Sequence, residues 1–392
     1  MRVLAVHNYY QHLGGEDWIF EAESSMLEQH GCRVFNYTVH NDQTKDMNRL
    51  ILARSTLWNV DIARELQKLI QKIRPDIIHF HNIFPLISPA AYYAAKAESI
   101  PVVQTLHNYR LFCPNALLFR NGHICEDCIG KFLSWPGVLK ACYRESRAAT
   151  CVTAAMLLVH RVLHTYRRMI DLYIALTDFA RQKFIQSGIP ERKIVVKPNF
   201  IERDPGIGDG QGGYAIFVAR LTPEKGIDTL LSTWRKIGDK IPLKIIGDGP
   251  LVSHVAEASR RILGVEYLGH KSREFVFDLM KDAVVLIFPS ICYETFGLTI
   301  LEAYSVGLPV IASKMGAMSS MVDHRRTGLH FQPGDPKDLA EKVNWVVNNP
   351  DEFNKMRFEA RKEYERKYTA EINYKMLMDI YKTAINHSKE KS

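Results

Sequence analysis

Apolar residues fall into short runs separated by longer stretches of helical period. Arg2 to His7 is a short buried run, and a loop holding Gly14-Gly15 follows, then a helical pattern through Phe20, Met26 and Leu27. Arg33 to Val39 reads as a second strand. Ile62, Leu66, Leu69, Ile70 and Ile73 recur at helical spacing until Pro75 stops them. Asp76 to His81, Pro101 to His107, Asp171 to Leu176 and Lys193 to Lys197 are further strands, with a helix starting at Thr177 or Asp178. Strands alternating with helices predict a parallel sheet with helices on both faces.

The pattern breaks after Pro198-Asn199. Six glycines or prolines between Pro205 and Gly213 read as an exposed linker. Beyond it the alternation restarts, with strands expected at Tyr214–Leu221, Leu243–Ile246, Val265–Leu268, Val284–Phe288 and Pro309–Ala312. A strongly charged helical pattern, Pro350 to Lys391, ends the chain. The expectation is α/β throughout, with two doubly wound, Rossmann-like domains facing a central cleft. Such sheets bind ligands beyond the carboxyl ends of their strands.

Composition narrows the class. With 392 residues, 46% hydrophobic and 24% charged, the chain has material for two cores and is neither disordered nor fibrous. Seven cysteines, an odd number, argue for reduced thiols rather than a disulfide framework. The apolar run at the N-terminus is too short for a signal peptide, and the stretch Ala148–Val159 is too short to span a bilayer. A cytoplasmic protein that does not cross a membrane is expected. Net charge is +8, and residues 140–199 carry almost all of it, with eleven Lys and Arg against four acids. A basic helix with an apolar face can lie on an anionic membrane surface; it can equally be a solvated helix packed on its own domain. No aromatic–basic interleaving accompanies the charge, so nucleic acid is not expected as a partner.

Candidate chemistry sits just after the strands. Arg220 and Lys225 flank the start of a helix at Gly226, and two cations there suit a diphosphate. Gly247-Asp248-Gly249-Pro250 follows another strand and by itself reads as a turn. Strand Val284–Phe288 leads into Pro289-Ser290, then Tyr293-Glu294-Thr295-Phe296-Gly297-Leu298 and a helix carrying Glu302. Solvated glutamates are not expected on either side of an apolar segment at the end of a buried strand. One of these carboxylates can face a sugar while the other accepts bonds from a ribose, and Gly297 lets backbone N–H groups approach a phosphate.

Arg220-x4-Lys225, Gly247-Asp248-Gly249-Pro250 and Glu294-x7-Glu302 with Phe296-Gly297 together resemble the retaining glycosyltransferases of family 4, which have the GT-B fold. Phe288-Pro289-Ser290, Gly307 to Ala312, Thr327-Gly328-Leu329, Gly14-Gly15 and Thr105-Leu106-His107 extend the resemblance over nearly the whole chain. It implies transfer of a sugar from a nucleoside-diphosphate sugar to an acceptor hydroxyl, with retention, in cell-surface or lipid-linked glycan synthesis. A non-catalytic partner subunit that binds the nucleotide sugar and a GT-B epimerase or hydrolase of the donor are the alternatives. The resemblance gives Arg220 and Lys225 the diphosphate, Glu302 the ribose, and Glu294 with the amides of Phe296, Gly297 and Leu298 the donor sugar. Gly14 and Gly15 would approach the phosphates. His107 would reach the transferred sugar, with His81 and Asn108 on the acceptor side. No metal is expected to be obligatory for catalysis. The implied domains are 1–198, closed by a C-terminal helix over 366–392, and 199–365, the donor-binding half. Tyr364, Tyr368, Tyr374 and Tyr381 with Ile372, Leu377 and Ile380 are expected to form the returning contact. One departure stands out: many members read Gly-Gly-x-Pro-Glu where this chain has Gly316-Ala317-Met318-Ser319-Ser320.

Cys113, Cys125, Cys128 and Cys142 lie within 30 residues and include a Cys-x2-Cys knuckle. Four thiolates can bind a structural zinc that staples a loop with little core. Ordinary reduced thiols and a redox pair are the other readings. Cys32, Cys151 and Cys292 read as isolated small hydrophobes.

Overall fold

The computed structural model describes residues 1–12 and 14–389. They form two compact units: residues 1–118 and 125–202 with the C-terminal helix from residue 370, and residues 119–124 with 203–369. The divisions fall a few residues beyond 198 and 365.

In the first unit β1 (Arg2–Tyr9), α1 (Gly15–Gln29), β2 (Arg33–His40), α2 (Arg49–Leu57), α3 (Val60–Ile73), β3 (Ile77–Phe80), α4 (Ala90–Ala97) and β4 (Val102–Leu106) follow in order. The chain then passes through a minimal hairpin that belongs to the second unit, β5 (Phe119–Arg120) and β6 (His123–Ile124), and returns to the first with α5 (Trp135–Leu139), α6 (Arg147–Val162) and α7 (Thr165–Arg168). Strand β7 (Leu172–Ala175), helix α8 (Asp178–Gln186) and strand β8 (Ile194–Val196) complete a six-stranded parallel sheet of order β2-β1-β3-β4-β7-β8. Helices cover its faces, so β3, β4 and β7 are buried along their whole length. His79, Gln104 and Thr105 interrupt these apolar runs, and each must find a partner inside the protein.

The second unit contains β9 (Ala215–Val218), α9 (Ile227–Ile237), β10 (Leu243–Ile246), α10 (Val252–Arg261), β11 (Val265–Gly269), α11 (Arg273–Asp282) and β12 (Val285–Phe288). Then come α12 (Leu298–Ser305), β13 (Val310–Ser313), α13 (Met318–Met321), β14 (Gly328–Phe331), α14 (Pro336–Asn348) and α15 (Pro350–Lys367). The parallel order is β11-β10-β9-β12-β13-β14. The order in which strands are added reverses between the parallel neighbours β9 and β12, which opens a crevice beyond their carboxyl ends. Its core joins Phe217, Leu230, Trp234, Ile245, Ile287, Leu329 and Phe353.

Four expectations are corrected. The run from Asp204 to Gly213 is not a free linker. The N–H groups of Gly208, Gly210 and Gly212 donate to the carbonyls of Val306, Lys281 and Asp282, and the Arg357 guanidinium donates to the Gly208 and Ala283 carbonyls. Those glycines serve close backbone approach rather than flexibility. The edge strand β14 has no counterpart in the expected strands; it opens on a glycine, which weakens the pattern. The final helical stretch breaks at Tyr368-Thr369 into α15 and α16 (Ala370–Lys389). Only α16 packs on the first sheet: Leu377, Ile380, Tyr381 and Ala384 join Val3, Ile77, Val103 and Ile174. Tyr364 and Tyr368 belong instead to the second unit, Tyr368 lying edge-on to Phe296. Finally, Cys151 is exposed, so it is not a small core hydrophobe, whereas Cys32 and Cys292 are buried.

Candidate active site

In the second unit two loops meet at the switch point. After β9 the chain passes Arg220, whose guanidinium is exposed and has no carboxylate partner among the described residues, and reaches Lys225 and Gly226. Gly226 has φ +73°, and a Cβ there would overlap the Pro289 carbonyl oxygen. The Ile291 N–H also donates to the Glu224 carbonyl, at 2.9 Å. The β9 and β12 loops are thereby stapled together. Lys225 Nζ lies 2.6 Å from Glu294 Oε1, and Ser290 Oγ donates to the same oxygen at 2.8 Å. Burial opposes the charge on Lys225, but Glu294 outweighs it and holds the ammonium above its ordinary value.

The Gly247–Pro250 turn grips the chain on both sides of Arg220. Asp248 accepts the Leu221 N–H at 2.8 Å, Ile246 accepts the Ala219 N–H at 3.2 Å, and the Leu221 carbonyl accepts the Leu251 N–H at 3.0 Å. Gly247, at φ +149°, admits no Cβ because the Ala219 carbonyl oxygen occupies that space. The turn thus sets the direction in which Arg220 leaves the strand.

Glu302, a turn into α12, pairs with Arg273 at the start of α11, at 3.2 Å. Burial raises the Glu302 carboxyl above its ordinary range, and Arg273 opposes that rise. At the N-terminus of α12, Leu298 begins the helix and the Gly297 N–H donates to the Met321 thioether at 3.3 Å. The helix end offers further orphan N–H groups and positive potential.

In the first unit, His107 follows β4 and His81 follows β3. His107 Nε2 is 3.0 Å from His81 Nδ1. His107 shares a small cavity with Glu16, Asn82, Gln104, Asn108 and Arg110. Asn108 and the Tyr10 hydroxyl both donate to Glu16, at 3.3 and 3.2 Å. Burial, then the neighbouring Asp17, pushes the Glu16 carboxyl up to about 8. Gly14 caps α1: its N–H donates to Asp17 Oδ2 at 2.7 Å, while Asp17 Oδ1 takes His7 Nε2 at 2.7 Å. Gly15 is the exposed first residue of that helix.

Ligand atoms of Glu23, His79 and His81 lie within 4.8 Å of one another, close enough for a metal. Their lone pairs and protons already have protein partners. Lys197 Nζ sits 3.0 Å from Glu23, Thr105 Oγ1 is 2.8 Å from His79 Nε2, and the Tyr381 hydroxyl is 2.9 Å from His79 Nδ1. A cation there would face the Lys197 ammonium, so the group is an internal hydrogen-bond network. Cys113, Cys125, Cys128 and Cys142 form no disulfide, and among the described residues they are not brought within 4.8 Å of one another as Glu23, His79 and His81 are. Burial first, and the neighbouring Cys113, Cys125 and Cys142, push the Cys128 thiol up to about 11, against a bond from the Gly137 backbone. The Gly137 carbonyl accepts the Cys142 N–H at 3.0 Å, closing a local turn at the end of the cysteine segment.

Residues 202–363 match the family model described as glycosyl transferases group 1, and residues 24–204 match glycosyltransferase family 4. The chain belongs to the family 4 type of glycosyltransferases. An uncharacterized glycosyltransferase of Methanocaldococcus jannaschii is 24% identical over 95% of both chains. The D-rhamnosyltransferase WbpZ of Pseudomonas aeruginosa is 29% identical over 40% of this chain and 42% of its own. The crystal structure of Anabaena HepE in complex with UDP superimposes with a TM-score of 0.68 at 18% identity, covering 97% of this chain and 99% of that one. The fold of this glycosyltransferase is therefore GT-B.

Several residues of the candidate site escape sequence reasoning. Glu16 directly follows the singled-out Gly14-Gly15, yet nothing in the pattern marks its burial. Nothing in the pattern gives Arg273 a role, Ser290 enters only within Phe288-Pro289-Ser290, and Cys292 reads as a small hydrophobe. The basic segment also looks different in three dimensions. Lys193 donates to the Arg167 and Ile170 carbonyls, Lys197 pairs with Glu23, Arg181 with Glu191 and Lys183 with Glu126. On α6, Thr150, Thr153, Ala154, Met156, Leu157 and His160 face inward. The exposed apolar side chains lie beside it, at Phe132, Leu133, Trp135, Leu139, Val162 and Leu163. Among the described residues no helix is long and apolar enough to cross a membrane.

Proposed function

We propose that the protein is a retaining glycosyltransferase moving a hexose or related sugar from a nucleoside diphosphate to an acceptor hydroxyl. The observation that carries this reading is the stapled pair of loops holding Arg220, Lys225, Glu294 and Glu302 around the β9–β12 switch point. Loss of a nucleoside diphosphate develops negative charge on phosphate, and fixed cations and helix N–H groups aimed at that charge dominate catalysis. Arg220 and Lys225 receive the diphosphate without requiring a metal, and Glu302, oriented by Arg273, accepts the ribose hydroxyls. Glu294 and the amides of Phe296, Gly297 and Leu298 hold the sugar, the Gly297 N–H leaving Met321 for a ligand oxygen. Gly14 and Gly15 take phosphate, and His107 with His81 and Asn108 lines the sugar and acceptor side. The UDP held by HepE and the sugar-transferase name of WbpZ support a nucleotide sugar as donor; the product in this reading is a cell-surface or lipid-linked glycan. The test is transfer from a panel of nucleotide sugars, with product anomers read by NMR. Glu294→Gln should lower kcat by about 10²-fold, the scale of one lost transition-state contact, while nucleoside diphosphate affinity changes little. Unchanged turnover would remove Glu294 from the site.

The exposed Phe132, Trp135, Leu139, Val162 and Leu163 lie among Lys131, Lys140 and Arg161. Aromatic and aliphatic side chains amid cations suit the interface of an anionic bilayer, which brings the enzyme to a lipid-linked acceptor. Sedimentation with anionic liposomes at low salt should be lost in a Phe132→Ser/Trp135→Ser variant; equal sedimentation of both proteins contradicts the assignment. Cys113, Cys125, Cys128 and Cys142 offer the four sulfurs a structural zinc prefers, in a segment whose own elements are a two-residue hairpin and a five-residue helix. Zinc bound there would fix the loop that leaves His107. One zinc per chain by mass spectrometry, absent in Cys128→Ser, is expected; metal-free protein with an unchanged melting point in chelator contradicts it.

A further inference from the structure

The buried network beneath His107 runs through three units of hydrogen bonding, and the donor in each link can be assigned. Lys197 Nζ lies 3.0 Å from Glu23 Oε2 and also donates to Asn373 Oδ1 at 2.8 Å. Glu23 Oε1 faces His79 Nδ1 at 2.9 Å and His81 Nε2 at 3.3 Å. His81 Nδ1 in turn faces His107 Nε2 at 3.0 Å. Glu23 is 3% exposed, His81 3% and Lys197 1%, so water settles none of these protons. The residues converge because β1, β3 and β4 are neighbours in the sheet, while α1 and α16 lie over one face of it.

A carboxylate only accepts. Burial works against the charge of Glu23, but Lys197 and His79 outweigh it and hold the carboxyl well below its usual range. The nitrogen facing it, His81 Nε2, therefore carries a proton. Burial and the neighbouring His79 keep the His81 ring neutral, at about 3, so its Nδ1 is a lone pair. A lone pair 3.0 Å from His107 Nε2 requires the proton on that nitrogen. Burial, then His81 and His7, also keep His107 neutral.

We infer that Glu23 and His81 are positioning residues that fix the tautomer of His107, with Nε2 protonated and Nδ1 carrying the lone pair. His107 is thereby held in one neutral form, its Nε2 proton committed to His81. The charged groups that face His107 are His7 on β1, His79 and Glu23 through His81, and Glu16 and Arg110 across the cavity; together they leave no group that would protonate it near neutrality. The inference deepens the proposed role of His107 and rests on it only for the consequence in turnover.

The test is histidine-selective ¹⁵N labelling of the full chain, with long-range ¹⁵N–¹H spectra assigned through His107→Asn. His107 should show the Nε2–H tautomer, unchanged from pH 6 to 8.5. An Nδ1–H tautomer, or protonation within that range, overturns the inference. In Glu23→Gln the amide can donate to His81 Nε2, which reverses both rings, so His107 should switch to Nδ1–H and kcat should fall by about 10²-fold, the scale of a mispositioned acid or base, with KM nearly unchanged. A folded Glu23→Gln protein with the original His107 tautomer also overturns it, and the wild-type spectra decide the matter if that variant does not fold. A fixed tautomer together with full turnover in His107→Asn would refute the catalytic reading while leaving the relay standing.

Discussion

Lys225 and Glu294 are expected to be coupled in stability and uncoupled in function. At 2.6 Å their Coulomb attraction is about 6 kcal/mol gross at an effective dielectric of 20. Their side chains are 23% and 15% exposed, so solvation offsets much of that, and a net coupling of about 1–3 kcal/mol remains. Lys225→Ala takes the cationic partner away from Glu294, which still accepts from the Ser290 hydroxyl, and should lower the second unit's melting point by roughly 3–10 °C. Adding Glu294→Gln should recover most of the loss, because no partly buried carboxylate is then left uncompensated. Nucleoside diphosphate binding should not recover, since the cation is still missing. Thermal denaturation of the four proteins of the cycle, with calorimetric titration of each, reads both quantities. Additive stability effects, within about 0.5 kcal/mol, would refute the ion pair as a structural element; diphosphate affinity restored in the double variant would refute Lys225 as the phosphate contact.

The remaining predictions concern neighbouring groups. Glu16 has its carboxyl raised to about 8 by burial and Asp17. Its protonated form is favoured by folding, so its stabilising contribution is complete below about 4.5 and is lost as pH rises through 8; the melting-point advantage of Glu16→Gln over wild type should grow from pH 5 to 8.5, and a flat difference contradicts the shift. Gly247→Ala should cost more than about 1 kcal/mol in chemical denaturation and weaken nucleotide binding, because the turn beside Arg220 must move; wild-type affinity would mean that the turn does not orient Arg220. Arg273→Met removes the group that opposes the burial-driven rise of Glu302, so nucleotide affinity should become weaker as pH falls from 8 to 6, and pH-independent affinity contradicts the role given to that pair.

Much of the architecture was legible because parallel strands buried on both faces are nearly continuous apolar runs, as in β3, β7 and β12. The candidate site on the second unit stands out in the sequence for the same reason: Arg220 and Glu294 are polar residues in the loops just beyond such runs, and Glu302 lies a turn into the helix that follows. What the sequence did not carry were interactions over long separations. Nothing local distinguishes Glu16 from a solvated helix start, or tells that Glu23 lies beneath His81 and 174 residues from its partner Lys197. Tyr364 and Tyr368 share the apolar periodicity of α16, and only the break at Tyr368-Thr369 separates the two helices. The glycines of 204–213 have the composition of a flexible segment, although each backbone amide in question is tied to the ends of α11 and α12.

The most direct measurement is calorimetric titration of the intact protein with UDP, GDP and ADP in EDTA, repeated with Glu302→Ala. The account predicts that one nucleoside diphosphate binds the wild-type protein and that its affinity falls at least about 10-fold in the variant, the equivalent of one lost hydrogen bond to a charged group. No binding by any of the three, or equal binding by Glu302→Ala, would contradict a donor site at the ends of β9 and β12.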